Sequence, residues 1–159
     1  MQEKKAFLVS DTASVSVRHG SPYPSCFAEP CRSRVKKALG DAVGISQFGV
    51  NLVELPPGTW SSQRHWHENE DEFILVISGE VVLLSDDGEE TLSKGQIVGF
   101  PSKIDNGHHL INRSSEPASY IEVGSRSASE TVQYPDINMK MERQLGQKSV
   151  FMDRQDNLL

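Results

Sequence analysis

Three of the chain's five histidines fall in a spacing that can hold a metal ion. His65 and His67 flank Trp66. Side chains alternate between faces along a β-strand, so both imidazoles leave the same side. A carboxylate follows at Glu72 and a further imidazole at His108. Imidazole nitrogens joined by a carboxylate oxygen make a mixed donor set suited to a divalent cation. A bare His-x-His pair is weak evidence, because exposed strands carry one by chance. The residues around this pair raise its weight.

Six residues separate Gly58 from His65, and four separate His67 from Glu72. The apolar run Phe73–Ile77 then leads to Gly79. Further on come Gly95, Pro101, Gly107, His108, His109 and Asn112. This order resembles the two motifs of the cupin superfamily. The steps from Glu72 to Gly79 and from His108 to Asn112 match, whereas the gap after Gly58 and the Pro101–His108 loop are longer than the family pattern. The resemblance spans about residues 45–124 and is to small single-domain bacterial cupins. It implies an all-β chain with one RmlC-like jelly-roll β-barrel, an N-terminal arm and a C-terminal tail. It also implies a metal site of His65, His67, Glu72 and His108 with open coordination positions. The doubled histidine leaves His109 as the rival to His108. Strand alternation and the family pattern favour His108, with His109 turned the other way beside Ile111. The resemblance leaves the reaction open.

Glu72 has opposite parity to His67, so one unbroken strand cannot aim both inward. The acidic stretch Glu68–Asp71 resets the phase. Glu68, Glu70 and Asp71 read as a solvated turn. Glu72 enters an apolar run, where a carboxylate needs a cation or a partner. Gln63 shares parity with His65 and is a candidate for the pocket lining, with Phe100, Tyr120 and His109. Arg64 and Trp66 have the other parity and are expected to face outward or into an interface. Three neutral imidazoles and one carboxylate carry −1, so a bound divalent ion leaves the site at +1 and attracts a polar or anionic small molecule. Nitrogen and oxygen donors suit Fe, Mn, Ni or Zn. Two classes of function follow. One is a metal-dependent oxygenase, isomerase or lyase acting on a small polar molecule. The other is a non-catalytic protein that binds or senses a small ligand with the metal's help. A fold does not choose between them.

A chain of 159 residues suits one domain. Residues 1–44 read as an arm with an edge strand at Arg34–Leu39, residues 45–124 as the barrel, and residues 125–159 as a linker and a tail packing on the barrel or a partner. The basic cluster of that edge strand could suggest an anion site, but a solvated edge that resists aggregation is the commoner reason for lysines there. Short apolar strands recur between breakers such as Pro56-Pro57-Gly58 and Asp86-Asp87-Gly88, a pattern of sandwiches and barrels. The net charge of −6 argues against nucleic acid and against an anionic membrane surface. No apolar run approaches the roughly 20 residues of a membrane span. Met1–Ser10 lacks the apolar core of a secretion signal, so a cytoplasmic location is expected. Cys26 and Cys31 are then expected to be reduced. Phe7-Leu8-Val9 is a β-prone piece able to add to a neighbour's sheet, and a homodimer is expected.

Overall fold

The computed structural model describes residues 7–159; Met1–Ala6, part of the stretch read as lacking a secretion signal, lie outside the described residues. Strands β1 (Val17–His19), β2 (Val35–Ala38), β3 (Phe48–Leu55), β10 (Ala118–Ser125), β5 (Glu72–Ser78) and β8 (Ile97–Phe100) form one six-stranded sheet, in the order β1-β2-β3-β10-β5-β8. The opposing layer has two parts. One is β7-β6-β9, made of β7 (Gly88–Ser93), β6 (Glu80–Ser85) and β9 (His109–Ile111). The other is β13-β12-β11-β4, made of β13 (Val150–Met152), β12 (Met139–Gln144), β11 (Ser129–Tyr134) and β4 (Trp66–His67). Backbone hydrogen bonds join the two parts, because His65 N and His108 N each donate to the other's carbonyl oxygen, at 3.1 and 2.8 Å. The expected jelly roll is therefore present as a two-layered sandwich. Among the described residues its sheets are not closed into a continuous barrel.

Alternation explains which side chains fill the space between layers. On β3, Val53 and Leu55 are fully buried and Glu54 is exposed. On β5, Ile74 and Val76 face inward, and on β10 Ala118 and Tyr120 do so. These residues meet Val81, Leu92 and Leu110 of the other layer in the main core. A second cluster of Val132, Tyr134, Met139 and Met141 packs against Tyr23, Phe27, Ile137 and Phe151. Residues of the segment read as an arm thus cover one end of the sandwich. β2 lies between β1 and β3, so it is not the outermost strand as expected; β1 is. The α-helices among the described residues, α1 (Ser25–Ala28) and α2 (Leu39–Ala42), are single turns. Among the described residues no helix is long and apolar enough to cross a membrane.

Candidate metal centre

Antiparallel pairing of the His65 and His108 segments brings the two halves of the motif together. His65 and His67 leave the same face, as their spacing requires. Glu72 opens β5 on the facing sheet after the turn at 68–71. Donor atoms of His65, His67 and Glu72 all lie within 4.8 Å of one another. The Nε2 atoms of His65 and His67 are 3.1 Å apart. His108 borders this group, with Nε2 3.1 Å from Glu72 Oε2 and its ring centroid 5.0 Å from that of His65. Phe100 stacks flat on His108, centroids 3.5 Å apart, and fixes the ring plane.

Backbone carbonyls set the tautomers. His65 Nδ1 lies 2.9 Å from Gln63 O, and His108 Nδ1 lies 3.0 Å from Asn106 O. A carbonyl only accepts, so both rings carry the proton on Nδ1 and turn bare Nε2 atoms toward the cluster. Burial, followed by the neighbouring His67 and His108, pushes His65 down to about 3, so its ring is neutral. Burial pushes Glu72 the other way. The surrounding imidazoles of His108, His65 and His67 together outweigh it and hold the carboxyl below its ordinary range. The site therefore gathers potential donor atoms for a metal: His65 Nε2 meets His67 Nε2, and His108 Nε2 meets the Glu72 carboxylate, each at 3.1 Å. Such contacts call for a proton or a cation between the acceptors, and the donor set fits a divalent cation.

The cluster lines a cavity of about 380 Å³. Gly124 faces Glu72 across the β10–β5 ladder and Gly49 faces Gly124 across β3–β10, so no side chain fills the floor beside Glu72. A Cβ on Gly124 would meet only Asp71 O, at 3.7 Å. Next along the same face, Glu122 Oε1 accepts from Lys36 Nζ at 2.5 Å and from Asn51 Nδ2 at 3.0 Å. Lys36 was expected on a solvated edge. Its partner across the ladder is the fully buried Val53, so it points into the cavity. Arg34 also lines the cavity. Its guanidinium is held by the carbonyls of Gly20 and Ser61 and, among the described residues, has no carboxylate within 4.0 Å.

The remaining expected residues fall variously. Tyr120, buried, and Phe100 both line the cavity. His109 does too, but its Nδ1 is 2.9 Å from Ser62 O and its ring meets Trp60 edge-on. Gln63 does not: its amide donates to Phe27 O at 2.7 Å, which ties the cluster's strand to the N-terminal segment. Arg64 is 14% exposed rather than outward-facing, and pairs with Asp86 and Asp136. Trp66 turns away and packs near Pro101 and Ile104. Of the supposed solvated acids, Glu70 is 7% exposed and accepts from Arg143 and Ser127. Sequence reasoning set the basic residues Arg34 and Lys36 aside as a solvated edge and missed Glu122 and Glu130, whose places arise from pairing with distant strands.

The Cupin domain family matches residues 51–124. No curated protein matches the chain. Among solved structures, a Silicibacter pomeroyi protein described as a sugar phosphate isomerase of the cupin superfamily is 40% identical over 94% of each chain, with a TM-score of 0.89. An Acidithiobacillus ferrooxidans protein provisionally named a sugar phosphate isomerase is 31% identical over 80% of each chain, with a TM-score of 0.71. A Thermotoga maritima protein, provisionally named an oxalate decarboxylase, shares only the fold, at 16% identity over 76% of this chain and 100% of its own, with a TM-score of 0.59. The motif spacing, the sandwich and the likeness over nearly the whole length agree: this chain belongs to the cupin superfamily.

Proposed function

We propose that the protein is a metal-dependent isomerase of small phosphorylated sugars. The observation that supports this reading is one cavity holding the imidazole–carboxylate cluster, an uncompensated guanidinium and an inward-facing acid. The two relatives named sugar phosphate isomerases favour the reaction class. A divalent cation held by His65, His67, Glu72 and His108, whether Fe, Mn, Ni or Zn, supplies Lewis acidity toward a neighbouring carbonyl and hydroxyl. Arg34 takes the phosphate, because a planar guanidinium already fixed by two carbonyls matches its oxygens. Glu122 stands diagonally across from Glu72, a step of about 7–8 Å in a sheet. Lys36 and Asn51 hold its Oε1, leaving Oε2 for the substrate. That carboxylate removes the proton from the carbon beside the carbonyl. The proton returns to the former carbonyl carbon, and a hydroxyl proton passes to the former carbonyl oxygen. Aldose becomes ketose with no atom or electron gained or lost.

The test is proton exchange from solvent D2O into aldose and ketose phosphates, followed by NMR. The His65→Ala/His67→Ala double variant is expected to lose the cation and turnover together. Glu122→Gln is expected to keep the cation and lose about 10²–10⁴-fold in rate. Arg34→Met is expected to raise KM for the phosphorylated sugar. Turnover that survives chelation overturns the proposal. Sugar phosphate binding without turnover would favour a ligand-sensing protein instead.

The same reading includes a homodimer and a cytoplasmic location. The unpaired Cys26 and Cys31 fit a reducing compartment. The dimer is supported by the apolar outer face of the six-stranded sheet.

A further inference from the structure

We infer that Glu130 is the positioning residue for His67, a carboxylate set behind the ring to decide which nitrogen faces the cation. This rests on the metal reading above. The three imidazoles differ at their rear nitrogens. Those of His65 and His108 are engaged by carbonyls at 2.9 and 3.0 Å. His67 Nδ1 is buried and, among the described residues, has no hydrogen-bond partner. Behind it stands Glu130, whose side chain is fully buried and whose Oε2 is, among the same residues, also without a partner. Glu130 Oε1 lies 3.9 Å from His67 Nδ1, too long for a hydrogen bond and within reach of a small side-chain rotation. Two adjacent buried acceptors are costly when both are bare. A proton on Nδ1, with a rotation that brings Oε2 to it, satisfies both, and it leaves Nε2 bare for the cation, matching His65 and His108.

Glu130 also holds the approach to the next ligand. Its Oε1 accepts from the backbone N–H groups of Glu68 and Asn69, at 3.0 and 3.2 Å. These residues form the turn between His67 and Glu72, so one carboxylate joins the back of one ligand to the phase of the next. A second cation among His67, Glu70 and Glu130 is not needed to explain the group. Glu70 is already neutralised by Arg143 at 2.5 Å and bonded by Ser127.

Glu130→Gln separates this role from simple turn capping. The amide oxygen keeps the acceptor for Glu68 and Asn69. Its NH₂ stands in place of Oε2 and donates toward the His67 ring, which favours a bare His67 Nδ1 and a proton on Nε2. The full chain is compared with the variant by Co(II) and Zn(II) competition against a chromophoric chelator, by ¹⁵N NMR of the metal-free imidazoles, and by metal-free thermal melting. The expected result is a 10–100-fold loss of affinity, a shift of His67 to the Nε2–H tautomer, and nearly unchanged melting. Wild-type affinity and tautomer in Glu130→Gln overturn the inference. A wild-type chain that takes up neither ion overturns the metal reading instead, and the tautomer measurement still decides the role of Glu130.

Discussion

Arg64 precedes the first imidazole and turns the opposite way, yet it is not a surface residue. Nε and Nη2 bind the Asp136 carboxylate at 2.8 and 2.6 Å, while Nη1 binds Asp86 and the Gly107 carbonyl. It thereby ties the strand bearing His65 to the loop before His108. The Arg64 hydrogen bond holds the Asp136 carboxyl below its ordinary range. A carboxylate depressed in the folded state contributes stability that is complete above its unfolded value, about 3.9, and is lost as pH falls through the folded one. Arg64→Met removes this contribution. Its urea midpoint is expected to lie below wild type at pH 6, with a gap that narrows toward pH 3. A gap that widens on acidification would contradict the pairing. Asp136 is half-exposed, so the effect is expected to be modest.

At the scale of elements, the site depends on how β5 is entered and left. It is entered through the Glu130-held turn and left at Gly79, where the chain reverses into β6. Gly79 has φ +68°, and a Cβ there would come within 2.8 Å of Pro117 O and 2.9 Å of Ala118 Cα. Both obstacles are backbone and cannot swing aside. Gly79→Ala is therefore expected to cost about 2 kcal/mol from left-handed strain alone. In a protein of this size that lowers Tm by about 4–8 °C. A melting curve unchanged by the substitution would refute the close approach. The breaker Asp86-Asp87-Gly88 forms the turn of a β-hairpin, closing on the pair Ser85–Gly88. The polar stretch 125–130, read as the start of the linker, is shortened to residues 126–128: β10 ends at Ser125 and β11 begins at Ser129.

For the whole molecule, the outer face of the six-stranded sheet is the unusual surface. Phe48, Phe73, Ile77 and Ile97 are 38–62% exposed, and Val50, Leu52, Leu75, Ile121 and Val123 lie among them half-buried. Contiguous apolar patches of this kind mark interaction surfaces. A second copy placed on this face would bury it. Ile97→Asp is expected to turn the proposed dimer into a monomer by light scattering at micromolar concentration. A wild-type chain already monomeric there would remove the basis for the dimer.

Local alternation and spacing alone determined that His65 and His67 share a face, that the stretch before Glu72 breaks the strand phase, and that the chain is β-rich. Those properties depend on neighbours in the chain. Tertiary structure decided the rest, because parity relates residues within a strand but not a strand to the core. Lys36 became an inward cation only through its register with Val53, and Gln63 left the cavity only because Phe27 offered a carbonyl. Glu130 acquired its place behind His67 only when β11 paired with β4. Contacts between residues tens of positions apart follow from strand order and register, and packing of the whole chain sets both.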